Sequence, residues 1–174
     1  GRAAARTSGP RPTEPGRPPP GGHGTATAVR SSIFLPDGVS AERPIPATRI
    51  TTTASSAATG RGPEKTINGS GLNAADGHST LQTDMWQTAK GTSLPAWIQY
   101  EFNQPQRLDR MQVWNYNGES LLAIQGAKEV AVEHSMDGTT WTPLAGVPEF
   151  AMAPGAAGYV SDITVDFGGA AAKY

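Results

Sequence analysis

The sequence predicts an all-β fold, an antiparallel sandwich. Apolar and polar residues alternate in runs of five to nine residues that are rich in β-branched and aromatic side chains. That period belongs to strands. The 174 residues include 21 glycines and 15 prolines, and Asn68-Gly69, Asn117-Gly118 and Asp137-Gly138 punctuate the runs as turns. No amphipathic helix of useful length is present, apart from one turn near Asp84–Thr88. Short strands joined by many turns build sandwiches rather than helical bundles.

The elements follow in chain order. Residues 1–30 carry five arginines against one Glu14, six prolines from Pro10 to Pro20, and Val29 as their one large aliphatic residue. Such a segment cannot bury enough apolar area to offset its ordering entropy, so a disordered, dispensable linker is expected. Ile33-Phe34-Leu35 is a short apolar patch closed by the turn signal Pro36-Asp37-Gly38, and Pro44 and Pro46 then oppose regular pairing. The expected division is therefore a Pro/Gly/Arg-rich linker over 1–46 and a domain over 47–174.

Within that domain, Trp97–Phe102 places Ile98, Tyr100 and Phe102 on one side of a strand. Leu108–Tyr116 places Met111 and Val113 on one face and Trp114 and Tyr116 on the other. Val130–His134 alternates, and Asp137-Gly138 links Val130–Ser135 to Thr140–Leu144 as a hairpin. Tyr159–Phe167 lines Tyr159, Ser161, Ile163, Val165 and Phe167 along one side.

Charge and composition exclude several functions. A net charge of -1 and a pI near 6.3 give no field for gripping phosphates, so no nucleic-acid partner is expected. No stretch approaches the ~20 apolar residues of a membrane helix, so no membrane insertion is expected. The chain has no cysteine, hence no disulfide, thiolate nucleophile or thiolate metal site. His134, Ser135 and Asp137 have the residue types of a hydrolytic triad, but neighbours on a strand point to opposite faces. No catalysis is expected.

Four motifs in order carry a resemblance to a family. They are Asn68-Gly69, then Trp86, then Trp97-Ile98-Gln99-Tyr100-Glu101-Phe102, then Ser135-Met136-Asp137-Gly138-Thr139-Thr140-Trp141. Over residues 47–174 the chain resembles a discoidin domain, also called a coagulation factor V/VIII C-type domain. It is similar to many bacterial carbohydrate-binding modules. The resemblance implies a galactose-binding-like jelly-roll β-sandwich that binds without catalysing. It further implies a monomeric module for a glycan or polysaccharide, cut from a larger secreted or cell-surface bacterial protein and ending inside its last strand. The alternative is a protein- or phospholipid-interaction domain, with Leu121-Leu122 as an apolar spike and Lys128 as the nearby base.

The resemblance also points to site residues. Trp86, Trp97 and Trp141 match packing positions. Trp114 and Tyr116 face away from Met111 and Val113, and Asn115, Asn117 and Glu119 follow into the turn. Together these five are the expected ligand set, with exposed rings for stacking on sugar C–H edges. The alternative is that the two rings cover the second side of the sheet. If the site lies elsewhere, Trp86 with His78 is next. The loop Thr66–Thr80 matches one that holds a structural calcium by backbone carbonyls and one carboxylate, with the carbonyls of Thr66 and Gly71, the Asn68 amide oxygen and groups of Ser79 and Thr80 as the expected ligands. Asn68 stands where the family carries Asp, and Asp76 or Asp84 would supply the missing charge. The other reading of this loop is closure by its own side-chain hydrogen bonds. Asn68-Gly69-Ser70 is also a chance-frequency glycosylation triplet.

Overall fold

The computed structural model describes residues 29–36 and 44–174. Within them the chain forms a β-sandwich. Strand β1 (Val29–Pro36) pairs antiparallel with β4 (Gln106–Asn115), which pairs antiparallel with β7 (Ile163–Ala172). Strands β2 (Ile50–Ala54) and β3 (Ile98–Phe102) form a second antiparallel pair. A short hairpin joins β5 (Glu133–His134) to β6 (Thr142–Pro143). Helical structure among the described residues is limited to 3-10 turns.

The core lies where the two main sheets face each other. Met111 and Val113 of β4, with Ile163, Val165 and Phe167 of β7, meet Ile50 and Phe102 of the β2–β3 pair. Phe34 of β1 sits between the sheets, edge-on to Tyr100 at 4.9 Å and to Phe102 at 5.3 Å. Such edge-to-face pairs add ~0.5–1.5 kcal/mol each beyond the buried area.

The alternation read from the sequence holds on β7, where Ile163, Val165 and Phe167 are buried and Thr164 and Asp166 exposed. It breaks on β4, where Leu108 and Met111 both point inward although an odd number of steps separates them. Against β1, the two steps from Arg110 to Leu108 face the single step from Leu35 to Pro36, so β4 carries one extra residue there. Opposite it, Gly168 and Gly169 take φ of 56° and 78°, a backbone that side chains other than glycine resist. Beyond this bulge Ala170, Ala171 and Ala172 pair with β4 again, and only then does the chain turn to the other sheet: Lys173 gives its carbonyl to the Phe102 amide at 2.8 Å, and Tyr174 exchanges bonds with Ser135.

The expected linker over 1–46 is corrected at 29–36, and the domain begins earlier than residue 47. Phe34 is 3 % exposed, and its carbonyl accepts the amide of Ile45, itself a core residue, at 2.8 Å. Residues 1–28 and 37–43, which include most of the arginines and prolines of that linker, lie outside the described residues. The predicted hairpin around Asp137-Gly138 is present, but its paired segments are two residues each.

Two measurements check the role of β1. Phe34→Ala should cost about 3–5 kcal/mol, as for other buried phenylalanines. A chain begun at Pro46, which lacks both Phe34 and Ile45, should melt well below the full chain in circular dichroism. An unchanged melting temperature would remove β1 from the fold.

Candidate functional site

At the end of the sandwich where β4 stops, the expected ligand set is mostly interior. Trp114 is 3 % exposed and Tyr116 0 %. Trp114 packs with Ala153, Tyr159 and Leu72 and donates its indole N–H to the Asp76 carbonyl at 2.9 Å. Tyr116 packs with Met85 and Leu122. These rings do turn away from Met111 and Val113, as alternation requires, but loops cover the face they occupy. Neither ring can stack on a sugar, and the expectation of exposure is overturned.

The two asparagines are also committed to the loops. The Asn115 amide donates to the carbonyls of Ala127 (2.8 Å) and Ala151 (2.7 Å), and its oxygen accepts from the amides of Tyr116 and Ala127. Asn117 donates to Ser79 and Ala156 carbonyls and accepts from the amides of Gly155 (2.8 Å) and Ala156 (3.2 Å). Both are buried, with all four hydrogen-bonding positions of a side-chain amide filled. Only Glu119 of the expected set faces solvent, where it accepts from the Thr80 hydroxyl at 3.3 Å. Trp86 and His78, the reserve pair, are buried as well; Trp86 donates to the Ser56 carbonyl at 2.9 Å.

The residues expected to hold calcium are tied into hydrogen bonds of the protein's own. The Thr66 hydroxyl is buried, donating to Pro63 carbonyl (2.8 Å) and accepting from Tyr100 (3.1 Å). The Asn68 oxygen accepts from the Ser70 amide at 2.9 Å. The Gly71 carbonyl accepts the Ser79 amide at 2.9 Å, and the Ser79 hydroxyl donates to Asp84 at 2.6 Å. The Thr80 hydroxyl turns to Glu119. None of the five brings a carboxylate, so the negative charge a calcium ion draws on would have to come from Asp84, which already accepts from the Ser79 hydroxyl.

The triad residues form a turn. The Ser135 hydroxyl accepts the amides of Asp137 and Gly138, and Asp137 accepts those of Thr139 (2.8 Å) and Thr140 (2.7 Å). The His134 Nδ1 lies 3.2 Å from the Ala171 carbonyl, away from both. The backbone bonds from Thr140 and Thr139 hold the Asp137 carboxyl well below the usual carboxylate range.

Half-buried aromatic rings outside the core clusters mark a different surface. Trp97, Gln99 and Glu101 alternate with the inward residues of β3, so they share its outer face. Directly opposite stand Ser55, Thr53 and Thr51, with the Trp97 amide donating to the Ser55 hydroxyl at 3.0 Å. The Lys173 ammonium pairs with Glu101 at 3.2 Å and lies 5.1 Å from the Tyr174 ring centroid. Tyr174 in turn meets Trp141 edge to face at 6.4 Å. The result is one row with rings at both ends and hydroxyl, amide, carboxylate and ammonium groups between them. From Trp97 to Glu101 it spans about 13 Å at the usual rise per strand residue. The resemblance casts Trp97 and Trp141 as packing residues; the signal that marks Trp97 as outward is its phase with Gln99 and Glu101.

Two outcomes follow from this arrangement. Trp114→Ala should destabilise the domain by about 3–5 kcal/mol, and Trp97→Ala by clearly less, in paired thermal melts. Asp137→Ala should lower the melting temperature at neutral pH. Because the folded-state pKa is depressed, that contribution is present above the ordinary carboxylate pKa and fades as pH falls through and below about 4. A mutational deficit that does not shrink in acid would contradict it.

The comparison with known proteins agrees with the fold. Neither a curated protein sequence nor a solved structure matches the chain. The family model described as F5/8 type C domain matches residues 51–174, from the start of β2 through Lys173 and Tyr174. With most of the chain matched, and every strand of the antiparallel sandwich but β1 falling in or at the edge of the match, the protein belongs to the F5/8 type C, or discoidin, family of binding domains.

Proposed function

We propose that this domain is a non-catalytic glycan-binding module, and that a saccharide lies along the outer face of β3. The observation that carries the proposal is the row from Trp97 through Gln99, Glu101 and Lys173 to Tyr174 and Trp141. Sugar recognition needs apolar ring faces for C–H edges and hydrogen-bonding groups for hydroxyls. This row offers both in one line. Glu101 and Lys173 neutralise each other, so the surface favours hydroxyl-rich, uncharged ligands over anionic ones. Thr51 and Thr53, exposed on the neighbouring strand, widen the hydrogen-bonding strip.

Binding without chemistry is supported by the turn built from Ser135 and Asp137, whose polar atoms serve the backbone. In this reading the module works as a monomer attached to a larger secreted or surface protein of a bacterium, holding that protein near polysaccharide.

The test is a glycan-array screen followed by calorimetric titration of the best neutral oligosaccharide. Trp97→Ala and Glu101→Gln should each weaken binding about tenfold or more, equivalent to about 1.4 kcal/mol, while the melting temperature stays near that of the parent. Retained binding in both variants would move the site off β3. Binding to phospholipid vesicles with none to glycans would favour the 3-10 turn Ser120–Gln125, where Leu121 is 81 % and Ile124 68 % exposed.

A further inference from the structure

The loop between residues 66 and 85 is where the family resemblance places a calcium ion, yet its residues do not fit one. We infer that the carboxylate of Asp84 closes this loop from within, and that the domain folds without regard to calcium. The inference concerns the loop and is independent of the glycan site.

Asp84 ends a 3-10 turn, Gln82–Asp84, that brings it back over the start of the loop. One carboxylate oxygen accepts from the Ser79 hydroxyl at 2.6 Å, and the other lies 3.4 Å from the Ser70 hydroxyl. The two serines stand on opposite limbs of the loop, so one side chain clasps both. Gly71 is held between the clasp and its neighbour. A Cβ added there would lie 2.0 Å from the His78 ring and 2.9 Å from the Asp84 side chain. Gly71 has φ of 77°, so its backbone also suits glycine.

Ser79 ties this clasp to the rest of the loop end. Its amide donates to Gly71, its hydroxyl to Asp84, and its carbonyl accepts from Asn117 at 3.2 Å and lies 3.1 Å from His78 Nδ1. A hard cation placed here would have to take Asp84 from both serines. Asp84 is the carboxylate bonded to both serines, and Asn68, which stands where the family carries Asp, is uncharged and already accepts from the Ser70 amide. Hydrogen bonds to an ionised carboxylate are roughly twice as strong as neutral ones. The clasp therefore supplies in covalently attached form the negative centre around which hydroxyl groups gather, and it leaves a cation little to add.

The experiment is a set of thermal melts on the full chain, in excess calcium chloride and in excess EDTA, with calorimetric titration of calcium chloride alongside. The parent should melt at the same temperature in both solutions and give no binding heat. Asp84→Asn should melt several degrees lower in both. Should Asp84→Asn fail to fold, Ser70→Ala and Ser79→Ala each remove one partner of the clasp, and each should lower the melting temperature equally with and without calcium. A calcium-dependent rise in the parent's melting temperature would overturn the inference. So would Asp84→Asn or both serine variants melting like the parent.

Discussion

Buried backbone that belongs to no strand must still find hydrogen-bond partners, and this constraint shapes the loop end of the molecule. The segments from 55 to 97 and from 116 to 162 are long and largely irregular. Their peptide groups cannot be satisfied by sheet ladders. Asn115 and Asn117, placed at and just beyond the end of β4, answer the need by bonding to the loops at 127, 151, 155 and 156, and to Ser79. Each does with one short amide what a pair of strands would do with several residues. The indoles of Trp86 and Trp114 add further bonds to loop carbonyls at Ser56 and Asp76. Packing of the second face of β4 rests on this network. Leu72, Ala153 and Tyr159 reach Trp114 because the loops that carry them are pinned.

The sandwich itself was legible because strand alternation is a local signal. Ile98, Tyr100 and Phe102 declare one face of β3 without reference to any other segment, and Ile163, Val165 and Phe167 do the same for β7. Strand β1 was not legible for a matching reason. Ile33-Phe34-Leu35 is too short to show a period, and its neighbours have the composition of a linker. What makes it a strand is pairing with β4, roughly eighty positions away, together with the slot for Phe34 between Tyr100 and Phe102. Neither partner is visible from within the segment.

The same distinction governs the candidate sites. Alternation correctly separates Trp114 and Tyr116 from Met111 and Val113, but it says nothing about what lies over the second face. Of the covering residues, Met85, Leu122 and Ala153 come from segments with no periodicity to read, and Tyr159, in phase with Ile163 and Val165 in the sequence, lies ahead of β7 and packs on Trp114 instead of the main core. The polar row on β3 needed both kinds of information. Trp97, Gln99 and Glu101 are in phase in the sequence, whereas the contribution of Lys173, Tyr174 and Trp141 depends on β7 crossing from one sheet to the other.

That crossing has a mechanical meaning. Strand β7 stays on β4 past the glycine bulge at 168 and 169, as far as Ala172, and the next two residues lock onto Phe102 and Ser135. The two sheets are thus stitched by continuous backbone as well as pressed together by side chains. Traction on a molecule held along β3 would pass through Glu101, Lys173 and the main chain of β7 into the other layer. The load would be carried in shear by the β4–β7 ladder, the direction in which a set of parallel hydrogen bonds must break together rather than one at a time.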